Sequence, residues 1–235
     1  MTKPRIILSR CFLKPVRYDG GIINDEFVEK LKNFVEIIDV CPEVDIGLGV
    51  PRERIIIVKE EDGKKLLQPD TGIDLTDKMI DYISRVLEEM KDIDGALLKS
   101  KSPSCGVGST KLYYEGNVHG RTNGFLAEGI KRRFPYLPVE DEERLKDKEI
   151  RFYFLVRIFS LAEFRELSKN LSISKLIDFH TKYKYLLMIY NPKALEKLER
   201  IVADKNMNID EKYRKYGEIF HRGLKTKPKS FPKRA

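Results

Sequence analysis

Short apolar runs alternate with amphipathic segments over the first 140 residues of the chain. The runs at 6–8, 37–40, 95–98 and 137–140 predict buried strands. Between them, the segments 25–32, 75–90 and 125–134 repeat apolar residues with the period of a helix. Strands that alternate with helices predict an α/β fold, specifically a doubly wound, Rossmann-like, mostly parallel sheet.

Two further segments read as excursions from that sheet. Residues 55–59 and 65–67 flank the turn 61–63 and predict a β-hairpin, and residues 112–117 predict another strand with a turn.

The pattern changes after a charged run at 141–148, which we interpret as a linker. The segments beyond it have helical periodicity with no strands between them: 152–159, 161–167, 174–190, 192–204 and 209–221. We therefore predict an α/β domain at 1–142 and an all-helical domain at 148–235.

Charge is distributed unevenly between the two parts. The formal net charge of the chain is +8, yet residues 1–150 carry −3 and residues 151–235 carry +11. Tyrosines alternate with basic residues at 182–185 and 212–216, an arrangement that favours contact with the bases and phosphates of RNA. The alternative is a solvated basic surface, and half of these aromatic rings are expected to belong to the core of so small a module. His180 and His221 are interpreted as structural or RNA-contacting residues rather than metal ligands, because no cysteine lies near them in the sequence.

Composition restricts the class of protein. A chain of 235 residues that is 41% hydrophobic can bury a core. No run is long enough to span a bilayer, and the N-terminus leads directly into a strand without a signal peptide, so we expect a soluble cytoplasmic protein. Three cysteines are too few for a disulfide framework.

Each cysteine lies in the loop that follows a predicted strand: Cys11, Cys41 and Cys105. Loops after parallel strands meet at one edge of the sheet, so the three thiols can converge. Their separations of 30 and 64 residues match no zinc finger or ribbon. Three thiolates instead suit an iron–sulfur cluster that has one iron without a protein ligand. The alternative for each cysteine is a small buried hydrophobic residue.

Polar residues near these cysteines are candidates for chemistry. Glu43 lies two positions after Cys41 and is a candidate general base, although spacing alone favours an exposed loop glutamate. Arg17 and Asp19 lie in the loop after the first strand, where such neighbours also form local ion pairs.

Several motifs together resemble the thiouracil desulfidase family. They are Ser9-Arg10-Cys11, Arg17-Tyr18-Asp19-Gly20, Cys41-Pro42-Glu43, Gly72-Ile73-Asp74-Leu75-Thr76, Gly95-Ala96-Leu97-Leu98-Lys99 and Ser102-Pro103-Ser104-Cys105-Gly106. The segment from Phe179 to Leu187, with Asn191-Pro192, resembles the helical module fused to this domain in tRNA 4-thiouridine desulfidases. That module commonly continues further than this sequence does, so we expect an abbreviated end at Ala235.

The resemblance implies a 4Fe-4S cluster on Cys11, Cys41 and Cys105 and a non-redox exchange of C=S for C=O. In this mechanism iron polarises the thiocarbonyl and Glu43 activates water. The resemblance also implies that Ser102, in preference to Ser104, positions substrate or relays a proton, and that Arg17 and Asp19 support the pocket or bind the base.

The expected substrate is 4-thiouridine in tRNA or a free thiouracil base or nucleotide. Two alternatives remain at this point. One is a non-catalytic RNA-binding protein with a structural metal, and the other is a cluster-based redox enzyme that needs an electron donor.

Overall fold

The structure, a computed structural model, describes residues 2–61 and 63–225. Strands and helices alternate through the first part of this range, and helices alone follow. The elements are β1 (Arg5–Ser9), α1 (Glu26–Leu31), β2 (Glu36–Val40), α2 (Pro42–Asp45), β3 (Ile56–Glu60), β4 (Gly63–Gln68), β5 (Ile73–Asp74), α3 (Thr76–Glu89), β6 (Gly95–Leu98), β7 (Thr110–Tyr114), β8 (Asn117–Thr122), α4 (Phe125–Arg133), β9 (Val139–Asp141), α5 (Lys148–Leu167), α6 (Ile173–Tyr190), α7 (Pro192–Ala203) and α8 (Ile209–Lys225).

The main sheet has four parallel strands in the order β2-β1-β6-β9. Ile6 pairs with Ile37 on one side and with Gly95 on the other, and Ala96 pairs with Val139. All four carboxyl ends therefore lie at one edge. The predicted α/β class and parallel sheet are confirmed.

Side chains of β1 alternate between two cores, as the period of two in a strand requires. Ile6 and Leu8 pack in one core with side chains of α1 and α5. Ile7 packs in the other core with side chains of α3 and α4. Helices thus cover both faces, which is the doubly wound arrangement expected from the sequence.

The predicted linker at 141–148 is wrong. Asp141 ends β9, a 3-10 turn spans Arg144–Lys146, and Leu145 is 1% exposed in the same core as Ile6. The segments 152–159 and 161–167 form one continuous helix, α5. Because α5 covers a face of the main sheet, it contributes to the core of the α/β region. The division of the chain into domains at 1–142 and 148–235 stays a prediction.

We expect Phe154→Ala to destabilise the whole chain by about 3–5 kcal/mol, because truncating a large core side chain leaves a cavity. Phe154 is 1% exposed on α5, facing the sheet. Phe152 lies on the same helix and is 50% exposed, so Phe152→Ala serves as the control, with a cost below about 1 kcal/mol. Urea denaturation followed by circular dichroism measures both. Equal costs would show that α5 does not contribute to the core of the sheet.

The two predicted excursions form a single second sheet, which the sequence analysis did not anticipate. Its order is β5-β4-β3-β7-β8. The hairpin of β3 and β4 is confirmed, and β3 joins the second excursion by pairing in parallel with β7. Ile57 and Leu66 from this sheet are buried in the core that contains α3 and α4.

An aromatic core holds α5, α6, α7 and α8 together. Phe164 stacks on Tyr213 with ring centroids 4.6 Å apart, and Phe179, Tyr216 and Phe220 surround it. Gly217 allows α8 to approach closely, because a Cβ there would lie 2.6 Å from the Phe164 ring.

Most of the tyrosines and some of the lysines assigned to an RNA-facing surface belong to this core. Tyr183 and Tyr216 are buried, and Lys212 is buried with its ammonium donating to the Val202 carbonyl. Tyr185 remains 73% exposed. His180 bonds the Tyr216 hydroxyl through Nδ1, as a structural residue does. Within the described residues, no helix is both long enough and apolar enough to cross a membrane.

Candidate active site

The three cysteines line one cavity of about 690 Å³ at the carboxyl edge of the main sheet. Cys11 lies in a 3-10 turn (Arg10–Phe12) that follows β1. Cys41 lies between β2 and α2 as the N-cap residue of that helix. Cys105 lies in the loop between β6 and β7. Parallel strands therefore bring together thiols that are far apart in sequence.

All three thiols are largely shielded from solvent, with 9%, 9% and 6% exposure for Cys11, Cys41 and Cys105. Burial raises the pKa of Cys11 to about 12, and the neighbouring Cys41 adds to this shift. Burial likewise raises the pKa of Cys41 and of Cys105. Clustered thiolates in such a place require a positively charged partner.

Nearby groups oppose this burial effect. The Lys99 ammonium lowers the pKa of Cys11, and the Val44 amide lowers that of Cys41. A hydrogen bond with Ser9 lowers the pKa of Cys105.

The donor set fits a cluster better than a single ion. Among residues 2–61 and 63–225, no group of three His, Cys, Asp or Glu is arranged to hold one metal ion. Histidine is absent from the cavity lining given by the described residues. Three soft thiolates on the wall of one open cavity are a donor set that suits an iron–sulfur cluster.

The N-terminus of α4 fixes the cysteine loop 102–106. The amides of Gly124, Phe125 and Leu126 donate to carbonyls of this loop at 2.7, 3.0 and 2.8 Å. Gly124 lies so close that a Cβ there would be 2.5 Å from the Ser104 carbonyl carbon and 2.7 Å from the Cys105 nitrogen. The first-turn amides of the helix, which have no partner within the helix, are satisfied by the loop that carries Cys105. The N-cap residue of α4 is Gly124, which has no side chain that could accept from these amides.

Glu43 lines the same cavity and is held on both oxygens. Its Oε2 accepts from Arg52 Nε at 2.8 Å and lies 2.7 Å from the second guanidinium nitrogen. Its Oε1 accepts from the Ser104 hydroxyl at 2.9 Å. The Glu43 side chain is 12% exposed. Glu43 is thus a fixed carboxylate facing the thiols, in contrast to the exposed loop glutamate that spacing alone favours.

The two candidate serines differ in position. Ser102 lines the cavity, and its Oγ accepts from the amides of Ser104 and Cys105 at 3.2 and 3.1 Å while lying 3.4 Å from Glu43. Ser104 is fully buried behind Glu43 and makes the shorter bond to it. Ser102 is therefore the serine that a ligand in the cavity can reach, and Ser104 orients the carboxylate.

Arg17 lines the cavity and pairs with Asp19 at 3.0 Å. Asp19 also accepts from the Gly21 amide, as in a tight turn. The local ion pair considered from the sequence is therefore present, and Asp19 acts on the cavity through Arg17.

Arg52 is a site residue that the sequence analysis missed. Besides Glu43, it donates to the carbonyls of Val16 and Gly49, both at 3.0 Å, and so joins three loops. No local motif marks this residue, because its partners lie up to 36 positions away in the sequence. Arg10, in the Ser9-Arg10-Cys11 motif, binds Asp39 and Asp45, both at 2.6 Å, and ties the Cys11 turn to β2 and α2.

We expect Arg52→Met to lower the free energy of unfolding by about 2–4 kcal/mol, because it leaves the buried Glu43 carboxylate and two carbonyls without their donor. Arg54 lines the same cavity without a carboxylate partner among the described residues. Arg54→Met is therefore the matched control, with an expected change within about 0.5 kcal/mol. The urea midpoints of the two variants measure this difference in stability. Equal midpoints would contradict a stabilising role for Arg52.

The rim of the cavity is strongly basic. Arg54, Lys101 and Lys111 line it, and none of them pairs with a carboxylate within the described part of the chain. By contrast, the deeper Lys99 pairs with the buried Glu142 at 2.7 Å. An open cavity with an unneutralised basic rim attracts an anionic ligand.

Comparisons with known proteins give two family matches. A family described as 2-thiouracil desulfurase matches residues 6–142, and a family described as a protein of unknown function, DUF1722, matches residues 184–232. The Bacillus subtilis (strain 168) protein YbbK, described as uncharacterized, is 27% identical over 136 residues, which are 54% of this chain and 88% of YbbK.

Among solved structures, the 4Fe-4S-dependent thiouracil desulfidase TudS matches with a TM-score of 0.50 and 28% identity. The match covers 66% of this chain and 99% of TudS.

Proposed function

Since the chain belongs to the 2-thiouracil desulfurase family, we propose that it replaces the thiocarbonyl sulfur of a thiolated uracil with oxygen, using a 4Fe-4S cluster held by Cys11, Cys41 and Cys105. One observation carries this proposal. The three thiols open on the same cavity as a carboxylate, Glu43, that is fixed by Arg52 and Ser104.

When bound, such a cluster supplies a Lewis-acidic iron for the thiocarbonyl sulfur and a place for the sulfur that leaves. Glu43 is the general base, and it takes a proton from the water whose oxygen bonds to the ring carbon. Arg52 keeps Glu43 in place through Oε2, which leaves Oε1 on the side of Ser102. Ser102 orients the bound base by hydrogen bonding.

The overall exchange converts C=S and water into C=O and hydrogen sulfide. No electrons are gained or lost in this balance, so the enzyme needs no electron donor. The redox alternative does need one, and turnover with and without a reductant separates the two.

The proposed substrate carries phosphate, either as 4-thiouridine in tRNA or as a nucleotide. The basic rim formed by Arg54, Lys101 and Lys111 supports phosphate recognition. The net charge of +11 over residues 151–235 and the exposed ring of Tyr185 support a role for the helical part in binding tRNA. A non-catalytic RNA-binding protein would not require Glu43 to face the thiols.

The test is desulfuration by anaerobically reconstituted protein, which should contain about four irons per chain. We expect the thiocarbonyl absorbance of 4-thiouridine tRNA to disappear without added reductant. Parallel reactions with free 2-thiouracil and 4-thiouridine monophosphate identify the substrate. Tight tRNA binding with unchanged absorbance for every substrate would support the RNA-binding alternative. Protein that binds only zinc would contradict the proposed iron–sulfur cluster.

A further inference from the structure

A buried polar cluster lies at the junction of the helical part and the α/β region, far in sequence from the cysteine loops. Among the described residues, three buried side-chain atoms have no hydrogen-bond partner: Arg157 Nε, Tyr190 Oη and His221 Nε2. Buried polar atoms are normally satisfied by protein, water or a bound ion. Three such atoms in one region make it a candidate binding site.

These three side chains come from three different helices, α5, α6 and α8. Arg157 lies 5.7 Å from the centroid of the Tyr153 ring, and that ring stacks on Tyr190 at 5.3 Å. His221 packs against α5, with its ring centroid 5.7 Å from that of Phe164, and the Arg157 charge lowers the pKa of its imidazole. Another Arg157 nitrogen donates to the Tyr136 carbonyl at 2.7 Å, which links the cluster to the loop before β9.

The cluster carries one positive charge that no carboxylate of the described residues pairs with directly. Arg157 is 8% exposed and forms no ion pair with a carboxylate among the described residues. The carboxylate that acts on it electrostatically, Glu140, pairs with Arg144 at 2.6 Å.

The two other orphan groups are neutral at pH 7. Burial lowers the pKa of His221 to about 4, and burial raises the pKa of Tyr190 to about 12. The Tyr190 hydroxyl and the Arg157 Nε–H are donors, and His221 Nε2 becomes a third donor when it carries the imidazole proton.

We propose that Arg157, Tyr190 and His221 form a buried binding site for a small monovalent anion such as chloride. A buried, unpaired charge is costly, and an anion removes that cost while accepting hydrogen bonds from the orphan donors. An ordered water would accept the same bonds but would leave the guanidinium charge uncompensated. The anion thereby stabilises the packing of α6 and α8 against α5, and through Tyr136 the attachment of these helices to the α/β region.

The experiment compares thermal unfolding of the full chain in sodium chloride and in sodium gluconate at equal ionic strength. We expect the Tm in chloride, at about 100 times its Kd, to exceed that in gluconate by about 5 °C. Crystals grown with bromide should show an anomalous peak at hydrogen-bond distance from Arg157 Nε.

Tyr190→Phe removes one donor while keeping the ring stack, and we expect it to weaken chloride binding at least about fivefold. Tyr185→Phe alters an exposed tyrosine of the same helix and should leave the chloride effect unchanged. Arg157→Met should abolish the effect if that variant folds. A water without anomalous signal at the site, or equal Tm values of the wild-type chain in the two salts, would overturn the proposal.

Discussion

Glu43→Gln is expected to lower kcat by about 10²- to 10⁴-fold, the usual contribution of a general base. The amide has nearly the shape of the carboxylate, so the bond from the Ser104 hydroxyl can persist. It cannot take a proton from water at neutral pH. The loss should therefore appear in kcat, with iron content and substrate affinity close to those of the wild-type chain.

Single-turnover desulfuration of 4-thiouridine substrates by reconstituted protein measures this effect. The matched control is Glu53→Gln, an exposed carboxylate in the loop that carries Arg52. That variant should keep wild-type kcat. Full activity of Glu43→Gln at normal iron content would rule out Glu43 as the base and would leave the cluster assignment standing.

Gly124→Ala is expected to abolish iron binding by the reconstituted chain, and activity with it. The added methyl group would lie 2.5 Å from the carbonyl carbon of Ser104 and 2.6 Å from its oxygen. These are backbone atoms, so they can move away only if the loop that carries Cys105 moves with them. A displaced loop also loses the carbonyl acceptors of the first α4 amides.

Gly129→Ala on the same helix is the matched control. Its methyl group would lie at a similar distance, 2.6 Å, but from a side-chain methyl of Ile83. We expect a stability cost of about 1–3 kcal/mol from overpacking, with iron binding retained. Iron content per folded chain, read beside the circular dichroism spectrum, separates the two variants. Wild-type iron content in Gly124→Ala would show that the cysteine loop tolerates this shift.

The motifs around the three cysteines predicted membership of the thiouracil desulfidase family, and the family match over residues 6–142 confirms it. The motifs are readable because each spans five or fewer consecutive residues. Glu43 and Cys41, for example, are neighbours in sequence as well as at the cavity. Arg52 reaches Glu43 and the carbonyls of Val16 and Gly49 only after folding, so no local pattern marks it.

In the helical part, too, a local sequence pattern does not decide which side chains are buried. The alternation of tyrosine and lysine predicted a basic surface with half of its aromatic rings in the core, but it did not identify Tyr183 and Tyr216 as core residues. An aromatic ring in a small module contributes more when it is buried than when it is exposed, and tertiary packing decides which rings are buried.

Hydrophobic periodicity, a local property of the chain, was enough to predict the four strands of the main sheet and the helices α1, α3 and α4 between them. The sequence also placed each cysteine after a parallel strand, and a parallel sheet aligns such positions at one edge. Only the tertiary structure decided that β3 and β7 join two excursions into one sheet and that α5 covers the main sheet. It also decided that Arg52 fixes Glu43. These contacts join residues far apart in sequence, and their free energy depends on shape and burial that exist only in the folded chain.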